Sequence, residues 1–323
     1  MKAIIAGTGS YLPKNIVSND DLSKLVETSD EWISTRTGIK ERRITNQETT
    51  TDLAYKASVR ALESSNIKAE EIDLIICATM TPDNFMPSVA CVVQEMLGAI
   101  HSAAFDLSAA CTGMIYAMSI AEQFIKSKTY KNILIIGSET LSRILNWEDR
   151  GTCVLFGDGA GAMVLTASEK SNGILASTLY ADGSKNSILT CPAIPLDNPY
   201  NRQSKNRESK IKMEGQEVFK FAIRSVTKCI KDVLQKADLS PDEIKYIIPH
   251  QANKRIIEQS AKYSNIPEEK FFMNLQHCGN TSAASVGIAL DELAKANKLN
   301  TGDYIILVGF GGGMTSGAIL LKW

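Results

Sequence analysis

The chain repeats itself. Glu71-Ile72-Asp73-Leu74-Ile75-Ile76-Cys77-Ala78 has a counterpart in Glu243-Ile244-Lys245-Tyr246-Ile247-Ile248-Pro249-His250, both apolar runs of strand length. A helical pattern and a short strand follow each, Ala104-Phe105-Asp106-Leu107 in one half and Phe272-Met273-Asn274-Leu275 in the other. A turn of small residues then leads into another helix and a very apolar strand, Asn132 to Ile136 matched by Tyr304 to Val308. Both halves close on a glycine-rich turn and a last strand, Phe156 to Leu165 and Phe310 to Leu320. Strand-length runs alternating with segments of helical period mark an α/β protein. The repetition makes it a duplicated βαβαβαββ unit, with halves expected over residues 1–170 and 171–323. At 323 residues, 44% hydrophobic and 22% charged, the chain is long and apolar enough to bury a large core.

Duplication also constrains where chemistry sits. Halves packed about a pseudo-twofold axis bring equivalent strand ends together, and α/β sheets hold their ligands at strand ends. Three residues fall at such ends. Cys111, in Ser108-Ala109-Ala110-Cys111-Thr112-Gly113, stands where a strand gives way to a helix. Free backbone N–H groups and the helix dipole there favour a thiolate. His250 ends the strand equivalent to the one ending at Ala78, and Asn280 opens the turn Gly279 to Ser285, the counterpart of the Cys111 turn. Most free cysteines are small buried residues, but a thiol, an imidazole and a carboxamide converging make a nucleophilic site. In a papain-like hydrolase, the imidazole pairs with the thiol and the carboxamide orients it. In a thioester-condensing enzyme, imidazole and carboxamide donate hydrogen bonds to an oxygen that becomes negative as carbon dioxide leaves. Separate turns for His250 and Asn280 suit the second chemistry better.

Charge and cysteine usage exclude other classes. A net charge of −1 gives no support for nucleic acid as the main partner. Seven cysteines without a Cys-x-x-Cys pair argue against a disulfide framework or a zinc site and for a reducing cytoplasm. The apolar run after Met1 is too short for a signal peptide, and no stretch has the length to span a bilayer, so a soluble cytoplasmic protein without a membrane partner is expected. The glycines of Phe156 to Gly161 lack the context of a dinucleotide fingerprint and read as a turn between core strands.

The motifs together resemble the beta-ketoacyl-acyl-carrier-protein synthase III family of the thiolase-like superfamily. They are Thr28 to Ile33 with Thr35 to Ile39, the Ala110 to Gly113 turn, Asp149-Arg150, Phe156 to Gly161, Pro249 to Asn253 and Gly279 to Ser285, spread over the whole chain. The resemblance implies a thiolase-like fold with a five-layered α-β-α-β-α core and a homodimer. It implies that Cys111 takes an acyl group from acyl-CoA, acetyl-CoA as the first guess, and then receives the carbanion from decarboxylation of malonyl-acyl-carrier-protein. His250 and Asn280 would promote that decarboxylation, and the backbone N–H groups of Cys111 and Gly312 would form the oxyanion hole. Trp32 and Arg150 match the pair that holds the CoA adenine, and Thr28, Arg36, Gly215 and Asn253 match further CoA contacts. Lys220, Arg255 and Lys262, among the neighbouring cations Lys210, Lys212, Arg224 and Lys254, resemble positions that dock an acidic carrier protein. No metal and no cofactor are implied, CoA thioester being a substrate.

Two departures put primer choice in question. Met86 replaces a frequent aromatic where a residue of the dimer partner closes the acyl pocket, and Ser187 to Lys210 reads as a long surface loop. A related synthase or acyltransferase of a secondary, polyketide-like pathway would use the same acyl-enzyme with another acceptor. A non-catalytic acyl-CoA or carrier-protein binding module would apply if Cys111 failed to acylate. A hydroxymethylglutaryl-CoA synthase would need a glutamate base near the cysteine, and the matching motifs contain none.

Overall fold

The computed structural model describes residues 1–169, 172–194, 198–200 and 209–323. The first half opens with β1 (Lys2–Tyr11), then a small module of β2 (Ile16–Ser18), α1 (Asn19–Ser23), α2 (Asp30–Thr37) and β3 (Glu41–Arg43). It continues through α3 (Thr50–Ser65), β4 (Leu74–Ala78), α4 (Val89–Leu97), β5 (Ala103–Leu107), α5 (Gly113–Lys126), β6 (Asn132–Glu139), the single-turn α6 (Arg150–Cys153) and β7 (Gly159–Ser168). The second half runs β8 (Gly173–Tyr180), β9 (Leu189–Thr190), β10 (Lys212–Met213), α7 (Gly215–Ala237), β11 (Ile244–Pro249) and α8 (Lys254–Ser264). It ends with α9 (Leu275–Cys278), α10 (Ser285–Lys295), β12 (Tyr304–Gly311) and β13 (Thr315–Lys322). Helix starts follow local chemistry: Ser18, Ser29, Thr49, Ser88 and Asn253 each accept a backbone N–H of the first turn.

The sequence repeat is a repeat of topology. One sheet has the order β1-β7-β6-β4-β5 and the other β8-β13-β12-β11. In both, the pair β4–β6 or β11–β12 is parallel and the last two strands of the half are antiparallel. The continuous apolar strand runs follow from burial on both faces. Along β4, Leu74 and Ile76 enter a core shared with the second sheet, while Ile75 and Cys77 enter a core against α3 and α4. Helices α5 and α10 lie between the sheets, where Met114, Ile115, Val286 and Leu290 meet Ile135 of β6 and Leu307 of β12. On the far side, Val226 and Ile230 of α7 and Ile257 of α8 cover Ile306, Val308 and Leu320. The layers are therefore α-β-α-β-α, the thiolase-like arrangement.

The glycine-rich segment before β7 serves this packing. A Cβ on Gly161 would lie 2.7 Å from the backbone of Gly287, so β7 and α10 meet backbone to backbone.

One expected strand does not form. Phe271 makes only an isolated bridge to Ile247, and Leu275 already opens α9. The Gln251 side chain takes the backbone groups a ladder would use: its Nε2 donates to Phe272 O at 3.1 Å and its Oε1 accepts from Asn274 N at 3.0 Å. Among the described residues, no helix is long and apolar enough to cross a membrane.

Candidate active site

Cys111 lies in a 3-10 turn, Ala110–Thr112, that joins β5 to α5. Ala110 holds φ at 47°, a left-handed conformation that points the chain sharply into the helix. The turn recurs in the second half, where Ser282 has φ 49° and the 3-10 turn Ser282–Ala284 leads into α10. Ala283 occupies the place of Cys111 there, so the duplicated frame carries one thiol. That thiol is buried, with Cys111 only 6% exposed. Burial pushes its pKa up to about 12 against a weaker opposing hydrogen bond from Ser282, so the resting group is a thiol and not the thiolate that the helix start alone predicts.

His250 follows β11, its N–H donating to Val308 O at 2.8 Å. Its ring packs edge-on against Phe310 with centroids 5.1 Å apart, and Nδ1 lies 2.7 Å from Ser285 Oγ. Burial pushes the imidazole pKa down to about 3, so the ring is neutral. The Gln251 N–H donates to the same Ser285 oxygen at 3.4 Å, and a Ser285 hydroxyl that donates to Nδ1 leaves the ring proton on Nε2. Asn280 is fixed in the same manner. Its N–H donates to Leu155 O at 2.8 Å, its carbonyl accepts from Gly157 N at 3.0 Å, and its Oδ1 accepts from Ser282 N at 2.9 Å. Only the amide Nδ2 is left for the cavity.

Cys111, His250 and Asn280 line one cavity of about 730 Å³ including its mouth, walled by Phe156, Leu189 and Phe310. The three come from segments far apart in sequence and meet because equivalent strand ends of the two halves face each other. Gly311 touches the cysteine turn so closely that a Cβ there would lie 2.6 Å from Cys111 N. Gly312, beside it, lies against Ala110.

The motifs did miss a glutamate near the cysteine. Glu139 ends β6, fully buried, and accepts from Ser282 Oγ at 3.3 Å. The matching motifs contain no glutamate base, and Glu139 stands outside them, at the end of a strand other than the one that leads to the cysteine.

Trp32 of α2 carries two guanidinium groups, Arg36 at 4.6 Å and Arg150 at 4.8 Å from its ring centroid. Arg150 also donates to Glu27 O at 3.0 Å. Asn253 caps α8 through its oxygen and donates from Nδ2 to Arg36 O at 3.1 Å, joining α2 to the cavity that it and Gly215 line. Thr28 Oγ1 is buried without a hydrogen-bond partner.

Comparison with known proteins agrees with this geometry. Residues 234–323 match the family model for the 3-Oxoacyl-[acyl-carrier-protein (ACP)] synthase III C terminal, and residues 105–183 match 3-Oxoacyl-[acyl-carrier-protein (ACP)] synthase III. The beta-ketoacyl-[acyl-carrier-protein] synthase III of Clostridium acetobutylicum is 54% identical over 99% of this chain and 98% of its own. The chain belongs to the synthase III family. The crystal structure of 3-oxoacyl-[acyl-carrier-protein] synthase III from Aquifex aeolicus superimposes with a TM-score of 0.94 at 51% identity, covering 99% of this chain and 100% of the other. The corresponding Pseudomonas aeruginosa structure gives 0.93 at 36% identity over 100% and 98%. The protein is an acyl-transferring condensing enzyme that joins an acyl primer to malonyl-acyl-carrier-protein and so initiates fatty acid synthesis.

Several expected positions lie outside the synthase III cavity itself. Lys220 and Arg255 line a groove between α7 and α8 together with Arg224 and two cations the sequence did not single out, Lys228 and Lys231. Lys262 sits in the last turn of α8. Met86 does not line the cavity and is 83% exposed beside Phe85 at 75%. The expected loop from Ser187 is partly structured: Leu189 and Thr190 pair with Met213 and Lys212, and both Leu189 and Met213 face the cavity. Its stretches 195–197 and 201–208 lie outside the described residues.

Proposed function

We propose that acyl-CoA loads Cys111 and that His250 and Asn280 then drive decarboxylation of the malonyl group. The observation that carries this reading is the way both partners are held. Nδ1 of His250 is committed to Ser285 and Oδ1 of Asn280 to Ser282 N, so each turns a hydrogen-bond donor to the cavity that holds the thiol. Two donors suit an oxygen that gains charge as the carboxylate carbon leaves as CO2. A neutral ring with its proton on Nε2 serves that purpose better than it serves as a base.

In the first half of the reaction the sulfur attacks the thioester carbonyl and CoA departs. In the second, the enolate left by CO2 attacks the acyl carbonyl, and the tetrahedral oxyanion takes hydrogen bonds from the N–H groups of Cys111 and Gly312. Collapse releases the 3-oxoacyl carrier protein and frees the sulfur. We assign the adenine to Trp32 and Arg150, with Thr28, Arg36, Gly215 and Asn253 along the CoA path. The guanidinium groups stacked on Trp32 support this, since an aromatic plane can take their place. CoA thioester is the substrate and no cofactor takes part.

The cations of the α7–α8 groove support docking of an acidic carrier protein by Lys220, Arg255 and Lys262. We further assign a homodimer across β5, the end strand of its sheet, where Phe85, Met86, Ile100 and Phe105 are exposed apolar side chains. Met86 would then act in the partner's pocket. Residues 1–170 and 171–323 are taken as halves of one unit, and the cytoplasm as its compartment.

Intact-mass measurement after incubation with a panel of acyl-CoAs tests the reading. Cys111 gains one acyl group and passes it to malonyl-acyl-carrier-protein, and Cys111→Ala gains none. Acylation that persists in Cys111→Ala overturns the assignment, and the same panel ranks acetyl against longer or branched primers.

A further inference from the structure

An oxyanion hole built from the N–H groups of Cys111 and Gly312 needs two turns, from opposite halves of the chain, held still relative to one another. Gly312 is the middle of three consecutive glycines, and Gly313 takes φ 73°, so this stretch has unusual conformational freedom of its own. Among the described residues, no backbone hydrogen bond joins it to the cysteine turn. Two threonine hydroxyls do join them. Thr112 follows Cys111 directly and is fully buried, and Thr315 opens β13 just beyond the glycines.

Thr112 Oγ1 lies 2.9 Å from Thr315 Oγ1 and 3.2 Å from Thr315 O. Thr315 Oγ1 lies 3.3 Å from Ala109 O and 3.2 Å from Gly312 O. Each hydroxyl has one proton, and whichever of the two donates to the other, the cysteine turn is bonded to the glycine turn. When Thr112 is the donor, the Thr315 proton is left for the carbonyls of Ala109 and Gly312, one in each turn. The Ala109 carbonyl also accepts from Thr112 N at 3.1 Å, which places Thr315 against both ends of the cysteine turn. The repeat supplies a contrast. Ser282–Ala284 is the same 3-10 turn with the same left-handed first residue, and Ala284 stands there in the place of Thr112. The turn therefore forms without a hydroxyl, and the half that carries the thiol has one.

We propose that Thr112 and Thr315 are positioning residues for the oxyanion hole, their hydroxyl pair fixing the Gly312 turn against the Cys111 turn. They act only through the backbone they hold, and neither gives up its proton in the reaction. With the pair in place, the N–H groups of Cys111 and Gly312 already face the carbonyl oxygen when charge develops on it, and no reorganisation is needed at that moment. That charge develops twice, when sulfur attacks the thioester and when the enolate attacks the acyl group. Release of CO2 from the malonyl group relies on His250 and Asn280 instead, so it does not depend on the threonine pair.

The inference rests on Cys111 and Gly312 forming the oxyanion hole, and its test separates the two claims. Thr112→Val and Thr315→Val keep the shape of the side chain and delete the hydroxyl, while Thr112→Ser and Thr315→Ser keep the hydroxyl. Each protein is loaded with saturating acetyl-CoA isotopically labelled at the carbonyl carbon. Intact mass gives the loading rate, and infrared difference spectra give the carbonyl stretch of the acyl-enzyme. In the unaltered protein the stretch lies below that of a free thioester, because N–H groups donate to the oxygen. In either valine variant loading slows about tenfold, the value of one net hydrogen bond, and the stretch moves back towards the free thioester. The double valine variant loses no more than either single one, since both delete the same pair. The serine variants stay within about twofold of the unaltered protein, and CO2 release from malonyl-acyl-carrier-protein changes little in any of them. An unchanged loading rate and stretch in the folded valine variants overturns the inference while leaving the oxyanion hole intact. Serine variants as slow as the valine ones, or CO2 release that falls as far as loading, also overturn it. A stretch in the unaltered acyl-enzyme that matches the free thioester overturns the oxyanion hole itself, and the inference with it.

Discussion

The Nδ1 atom of His250 and the hydroxyl of Ser285 lie 2.7 Å apart at the junction of a strand end and a helix start. That contact decides which ring nitrogen faces the cavity. Removing it in Ser285→Ala frees the ring to change tautomer and removes one net hydrogen bond, about 1.4 kcal/mol, or about tenfold in rate. The loss falls on release of CO2 from malonyl-acyl-carrier-protein, measured with labelled substrate, more than on acyl loading of Cys111.

Gly311 admits no side chain. Its backbone is extended, with φ −173°, so the obstacle to Gly311→Ala is contact rather than strain: the new Cβ meets Cys111 N at 2.6 Å, and a backbone atom cannot swing aside. A loss of about 1–3 kcal/mol in urea unfolding is expected, as for other overpacked sites. Slower loading of Cys111, followed by mass, should accompany it.

Acid should weaken the fold through His250. The folded pKa of about 3 lies below the ordinary 6.5, so below pH 6.5 the unfolded chain binds a proton that the folded one refuses. Stability therefore falls as pH drops from 6.5 towards 3. At about pH 5 this one group costs about 2 kcal/mol, and His250→Gln should show that much less acid sensitivity in urea melts. Glu139 has the opposite sign. Its folded pKa near 7 exceeds the usual 4.5, so its contribution is present in acid and lost as pH rises through 7, and Glu139→Gln should steepen the acid decline.

Trp32 should matter to binding more than to chemistry. Losing the ring that both guanidinium groups contact, in Trp32→Ala, is expected to raise KM for acyl-CoA about tenfold with kcat within about twofold, as for uniform binding energy. Steady-state kinetics at saturating malonyl-acyl-carrier-protein measure it.

Some of this was legible in the linear chain because it depends on near neighbours. The doubled strand pattern named the layers, since a strand buried on both faces must be apolar along its length, as Leu74 to Cys77 are. The strand-end placement of Cys111, His250 and Asn280 followed from the same repeat. The strand expected at Phe272 failed because a side chain, Gln251, claimed its backbone partners, and no periodicity registers such competition.

The sequence by itself determined the duplicated α/β architecture and the residue types at the centre, because helix and strand periods and turn chemistry are local. Only the tertiary structure decided their electrical state. Burial between two sheets holds Cys111 as a thiol and His250 as a neutral donor, reversing what the helix start alone implies for the cysteine. It also brings Glu139, from a strand with no motif of its own, against the Ser282 turn of the other half, because desolvation and hydrogen bonding depend on what surrounds a group in space rather than on what adjoins it in the chain.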